Sequence, residues 1–279
     1  MLAGGAAAGM FGSLLGLGGG ILIVPLLTLG FGLDLREAVG VSLVSVIMTS
    51  SAAAGVYLER HVANLRLGMS LELFTAVGAL VGGSVAFLLD ERLLSALFAG
   101  LLLYVVVTMV RAALRPTVAP TPLEDAVATD SGPDPAAAPD IVTRRSDLIA
   151  GLSGPGYTVR HLGRGAAGAT GAGVLSALLG IGGGIVKVPL MHLAMGVPLR
   201  VAAATSNLMI GITAASSAVV YLLRGEIDPY VAGPTAIGVF LGATLGSRVA
   251  HRVQLRHLRL LFVVVLLYTA VQMLLRAMS

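Results

Sequence analysis

Gly180-Ile181-Gly182-Gly183-Gly184-Ile185-Val186-Lys187-Val188-Pro189 repeats, 164 positions later, the stretch Gly16-Leu17-Gly18-Gly19-Gly20-Ile21-Leu22-Ile23-Val24-Pro25. Both copies sit in strongly apolar surroundings. Three successive glycines remove helix propensity, and an unpaired backbone N–H or C=O in hydrocarbon costs roughly several kcal/mol. Broken backbone at membrane depth is therefore tolerated only where it is buried in protein or lines a polar cavity. A break present once in each half of a chain points to a substrate site between two repeats.

Composition sets the class. With 56% apolar residues, 11% charged residues and a mean hydropathy of +0.94, the chain is expected to be an all-α integral membrane protein in a lipid bilayer. The absence of cysteine removes disulfides, thiol chemistry and cysteine-ligated metals. The isoelectric point near 9.8 comes from residues placed mostly in loops, with no basic stripe interleaved with aromatics, so no nucleic-acid partner is expected. Met1 to Met10 lacks a basic leader region and reads as a mature N-terminus.

Apolar segments run over Leu2 to Phe31, Ala38 to Leu58, Leu67 to Leu89 and Leu93 to Leu114, then again over Ala166 to Met195, Val201 to Leu223, Tyr230 to Val249 and Leu258 to Met278. Six of them approach the ~20 residues a spanning helix needs. In the two glycine-broken segments each arm is only half a bilayer long, so these are expected to re-enter rather than span. The domain reading is a first repeat over 1–114, a flexible linker over 115–164 rich in Pro, Ala, Asp and Arg, and a second repeat over 165–279.

The repeat aligns without a gap. Gly32, Arg36, Ser42, Thr49 and Tyr57 match Gly196, Arg200, Ser206, Thr213 and Tyr221, and Gly78, Gly82, Arg92, Phe98 and Tyr104 match Gly242, Gly246, Arg256, Phe262 and Tyr268. If every segment spanned, the halves would be parallel and the arginines would divide weakly between the two sides. With the broken segments re-entrant, the halves invert. Only Arg36, Arg92, Arg224 and Arg276 then fall outside, while the other arginines, including the cluster Arg248, Arg252, Arg256 and Arg259, fall inside. The positive-inside rule favours this inverted-topology repeat, in the cell (inner) membrane, with a cytoplasmic linker and both chain ends outside.

A helix that ends at membrane depth presents free amides, and amides at a helix N-terminus hold anions without any basic side chain. Close helix packing is the plainer role for small residues, but it accounts poorly for three adjacent glycines followed by proline, in duplicate. Candidate substrate-binding positions are therefore Gly16, Gly18, Gly19, Gly20 and Pro25 with Gly180, Gly182, Gly183, Gly184 and Pro189. Ser42, Ser45 and Thr49 share one helical face, and Ser206, Asn207, Thr213, Ser216 and Ser217 occupy the equivalent helix; their hydroxyls and amide could complete an anion's hydrogen bonds or simply bond back to their own helix. Lys187 is the single lysine. It is expected to meet an anionic substrate, against the alternative of snorkelling to the interface.

Glu72 is the one carboxylate inside a span, near its start, and is expected to be solvated at the interface; buried, it could carry a coupled proton. His192 reads as a helix-contact residue, and Tyr57, Tyr104, Tyr221 and Tyr268 as an aromatic belt at span ends. The scarcity of intramembrane Asp, Glu, His and Cys argues against metal binding. With no HExxH or GxSxG motif and no pair of intramembrane acids, no enzyme activity and no catalytic residues or cofactor are expected.

The duplicated GxGGGxxxxP element within four-plus-four hydrophobic segments resembles the TauE/SafE sulfite exporter family, over Gly9 to about Met273. The resemblance implies a secondary transporter, in the export direction, of small sulfur-containing anions such as sulfite, thiosulfate or organosulfonates. It carries over the glycines and prolines of the two elements, and leaves Lys187 and the linker without a family counterpart. Another small anion such as a carboxylate, or a membrane assembly factor, are the competing functions. A homo-oligomer is compatible with the reading.

Overall fold

The computed structural model describes residues 1–15, 20–59, 63–114, 152–153, 157–249 and 255–278. Its helices, in chain order, are α1 (Leu2–Leu15), α2 (Gly20–Pro25), α3 (Leu35–Glu59), α4 (Leu65–Ala86), α5 (Glu91–Leu114), α6 (Leu162–Leu179), α7 (Gly184–Pro189), α8 (Leu199–Leu223), α9 (Pro229–Val249) and α10 (Leu255–Met278). Among the described residues no strand forms. Among the described residues, four stretches are long and apolar enough, by length and composition, to cross a membrane: Leu35–Ala52, Leu65–Ala86, Glu91–Arg111 and Val201–Leu223. The starts of α7, α8, α9 and α10 each fall 164 residues after those of α2, α3, α4 and α5.

Local chemistry sets several of these boundaries. Asn64 caps α4, its side chain accepting from the Leu67 amide at 3.0 Å, and Asp228 accepts from the Tyr230 amide at 2.8 Å at the start of α9. Pro25 and Pro189 lack an N–H and their rings crowd the preceding turn, so α2 and α7 give way to wider π-type turns at Leu26–Gly30 and Leu190–Ala194.

Small residues set the packing. α1 lies on α9 through Gly5 and Gly9 on one side and Gly238 and Gly242 on the other; α6 lies on α4 through Gly78, Gly82 and Gly173. A Cβ on Gly82 would sit 2.6 Å from the Val174 Cα. Such backbone-to-backbone approach is how apolar helices associate where lipid is as apolar as leucine. Gly82→Val is expected to lower stability by about 1–3 kcal/mol through overpacking. Thermal unfolding in detergent checks this against Gly100→Val, where nothing among the described residues lies within 4 Å of the added Cβ. The pairs α3 with α8 and α5 with α10 complete the bundle.

α7 and its π-type turn fold back along α6 as a hairpin. A Cβ on Gly165 would meet Met195 Sδ at 2.6 Å, one on Gly168 would meet Leu190 Cδ1 at 2.5 Å, and one on Gly183 would meet Ser176 Cβ at 3.3 Å. The segment expected to be linker as far as Arg164 gives way to α6 at Leu162, and before that Val159 is buried beside Leu67, Met191 and Met195. Asn64 donates to the Leu152 carbonyl and the Tyr157 hydroxyl, each at 2.8 Å. Burial raises the Tyr157 phenol above its ordinary value, and the Asn64 hydrogen bond opposes this. Residues 115–151 of the expected linker lie outside the described residues.

The aromatic belt expected from sequence does not form as such. Tyr221 is fully buried, donates to the Ala177 carbonyl at 3.0 Å and meets Phe87 at 5.1 Å between ring centroids. Tyr104 and Tyr268 stand near the middles of α5 and α10 and line crevices, while the side chain of Tyr57 lies outside the described residues. Tyrosine count and rough position could not distinguish an interfacial ring from one whose hydroxyl finds a carbonyl inside the bundle.

Candidate functional site

At the second glycine element the chain breaks as its sequence demands. α6 ends at Gly180 (φ 68°), whose amide donates to the Ser176 carbonyl at 2.9 Å, and α7 begins after Gly183 (φ 76°). Left-handed backbone of this kind is open to glycine and strained for any residue with a Cβ. Of the first element, Gly16, Gly18 and Gly19 lie outside the described residues; Gly20 opens α2 and Pro25 is buried at its end.

The two elements touch. A Cβ on Gly20 would lie 2.7 Å from the Gly180 carbonyl oxygen and 3.2 Å from the Ile181 Cα. Ser42, on α3, sits between them, its hydroxyl 2.8 Å from the Gly180 carbonyl oxygen and 3.3 Å from that of Gly20. Ser45 and Thr49, on the same face, bond back to Val41 and Val46 of their own helix, as do Ser216 to Ile212 and Ser217 to Thr213.

Beside α7 opens a cavity of about 270 Å³ lined by Tyr104, Gly184, Pro189, Ser206, Asn207 and Ile210 among others. Ser206 is 1% exposed and its hydroxyl has no hydrogen-bond partner among the described residues. Ser176, on α6, is likewise 1% exposed and without a partner among the described residues. These two hydroxyls flank the break: a Cβ on Gly183 would meet Ser176 Cβ at 3.3 Å, and one on Gly184 would meet Ser206 Oγ at 3.7 Å. A buried polar group left unpaired costs about 1–3 kcal/mol, so two of them bordering one break ask for a ligand's acceptors. Ser176 escapes the repeat comparison because its counterpart is Gly12.

Lys187 neither snorkels nor faces solvent. Its ammonium donates to Glu72 Oε2 at 3.2 Å and to the Thr213 hydroxyl. Thr213 in turn donates to Glu72 Oε1 at 2.6 Å, and Thr75 donates to Glu72 Oε2 at 2.8 Å. Lys187 is 1% exposed and Glu72 4%. The expectation of a solvated Glu72 is thus corrected: α4 starts at Leu65, so Glu72 lies two turns inside it, about 10 Å along the axis. His192 is exposed, with its Nδ1 2.9 Å from the Val197 carbonyl oxygen in the loop before α8.

The chain matches the family model described as "Sulfite exporter TauE/SafE" over residues 1–273. It is 27% identical over 278 residues to the probable membrane transporter protein YunE of Bacillus subtilis, covering 96% of this chain and 94% of that protein. A second B. subtilis relative, the probable membrane transporter protein YdhB, is 24% identical over 236 residues, covering 84% of this chain and 82% of that protein. Sulfite exporter TauE/SafE family protein 6 of Arabidopsis thaliana is 39% identical over a shorter stretch of 82 residues, 29% of this chain and 19% of that protein. No solved structure matches. A helical bundle with several membrane-crossing helices, broken by a glycine element that abuts its own repeat, and matched by the family model along nearly its whole length, belongs to the TauE/SafE sulfite exporter family, whose members are membrane transporters and not enzymes.

Proposed function

We propose that this transporter carries small sulfur-containing anions such as sulfite, thiosulfate or organosulfonates, in the export direction, and binds them where the glycine elements meet. The observation that carries the reading is the pair of buried hydroxyls without a partner among the described residues, Ser176 beside Gly183 and Ser206 beside Gly184, the second of them lining a cavity of about 270 Å³. That volume lies below the roughly 300–1,000 Å³ typical of drug-sized ligand sites and suits a small oxyanion. Hydroxyl donors, the Asn207 amide and the backbone amides freed by the break supply the several hydrogen bonds that a sulfite or sulfonate accepts.

On this reading 1–114 and 165–279 are inverted repeats joined by a cytoplasmic linker, 115–164, in the cell membrane. Three observations support it. Equivalent elements recur at a constant offset; α1 packs on α9 as α6 packs on α4; and α3 with α8 and α5 with α10 pair each element with its own counterpart. The hairpin formed by α6 and α7 enters and leaves on one side. Rocking of one half against the other then alternates access to the site.

Thermal stabilisation of the purified protein by sulfite, thiosulfate, sulfoacetate, taurine, acetate and nickel tests the substrate class. A sulfur anion should stabilise the wild type. In Ser206→Ala the shift should shrink, consistent with about tenfold weaker binding, while the ligand-free protein holds or gains stability because an unpaired hydroxyl is gone. Stabilisation by acetate or nickel alone overturns the sulfur reading. Stable co-purification with a partner and no ligand response indicates an assembly factor.

A further inference from the structure

We propose that Glu72 is the site where transport is coupled to a proton, and that Lys187 is the counter-charge it releases: a proton on Glu72 frees the ammonium for the anion. The inference rests on the anion-transport reading above.

Glu72 and Lys187 are the only acid and base buried among the described residues. The fold does not need them. At the equivalent place in the other half stand Ile23, Ala236 and Val239, counterparts of Lys187, Glu72 and Thr75, all buried and apolar. The same architecture therefore packs that position with hydrocarbon, and buried ion pairs are often no more stabilising than such packing. A costly device kept in one half alone asks for a function.

Its placement supplies one. Glu72 and Thr75 belong to the first half, Lys187 and Thr213 to the second, so the network crosses the surface along which the halves must move. The lysine stem passes over the break, its Cε 3.5 Å from where a Cβ on Gly183 would be. The unpartnered Ser176 and the Ser206 cavity border the same turn. Two hydrogens of the ammonium are held by Glu72 and Thr213. Around the pair, α4, α6, α7 with its π-type turn and α8 bring Thr75, Ser176 and Thr213; of the other titratable side chains on these elements with described burial, Arg66, Arg164 and His192 are exposed, and Tyr221 is buried about two turns beyond Thr213 with its hydroxyl donating to the Ala177 carbonyl.

The charges balance simply. With Glu72 ionised the pair is neutral and Lys187 is engaged. A proton taken from water onto a Glu72 oxygen leaves one net positive charge, which offsets one negative charge of the anion. On the opposite side the anion leaves, the proton returns to water and the pair closes again. One proton thus travels with each anion, and the combined gradient sets the direction.

Sulfoacetate is the probe, because its charge does not change near neutral pH. Calorimetry of the wild type in two buffers of different ionisation enthalpy should show about one proton taken up per anion bound, with affinity falling about tenfold per pH unit on the alkaline side. In Glu72→Gln, where the amide mimics the protonated acid, the pH dependence should shrink to less than about twofold and the proton uptake should vanish. The wild-type measurement needs no variant to fold. Binding without proton uptake, or unchanged pH dependence in Glu72→Gln, overturns the proposal and leaves the anion site standing. Failure of sulfoacetate and every other sulfur anion to bind overturns both.

Discussion

Gly183→Val is expected to abolish transport while the protein still inserts. The residue holds φ at 76°, where a side chain costs about 1–2 kcal/mol even before β-branching is counted. Its Cβ would lie 3.1 Å from the Ala172 carbonyl oxygen, 3.3 Å from Ser176 Cβ and 3.5 Å from Lys187 Cε, and the two further methyls of valine have to enter that space. Overpacking adds about 1–3 kcal/mol. The hairpin tip must shift, taking with it both the Ser176 hydroxyl and the lysine stem. Spanning helices elsewhere are untouched, so insertion survives. Flux in proteoliposomes, normalised to inserted protein, measures the effect; Gly183→Ala should lose less. The repeat extends the same expectation to Gly19→Val, and full transport by both valine variants would sink the site assignment.

The second large effect concerns stability. Lys187→Ile alone leaves a buried carboxylate without its counter-ion, and Glu72→Ala alone leaves a buried ammonium. Each should cost about 3–5 kcal/mol. The double variant Glu72→Ala/Lys187→Ile copies the Ile23 and Ala236 packing of the other half and should return to within about 1 kcal/mol of the wild type. Unfolding in detergent, read as a double-mutant cycle, gives the coupling between the two residues. Near-additive losses would mean that the pair is not a unit. A stable double variant that no longer transports would separate the ion pair's role in function from any role in holding the fold.

The glycine elements were legible in the sequence because their chemistry is local. Gly180, Gly182 and Gly183 all take positive φ, and Pro189 widens the turn that follows, as consecutive glycines and a missing N–H require. Ser206 was legible through its repeat partner Ser42, yet the two do different things: Ser42 contacts the carbonyls of Gly20 and Gly180, while Ser206 is left unpaired beside a cavity. Ser45 and Thr49 turned out to satisfy themselves within α3. Ser176 had no signal at all, lying outside the motif and opposite a glycine in the repeat.

By itself the sequence determined the membrane class, the helical segments, the family and the place where the helices break, since each follows from composition, length or backbone chemistry within a few residues. Only the tertiary structure decided what the polar groups do. Glu72 and Lys187 are 115 residues apart and meet because α4 and α7 both pack on α8; Tyr221 is buried because α6 ends at its hydroxyl. A charge in an apolar segment is costly wherever it lies, but whether it is solvated, paired or waiting for a ligand depends on which distant side chain folding sets beside it.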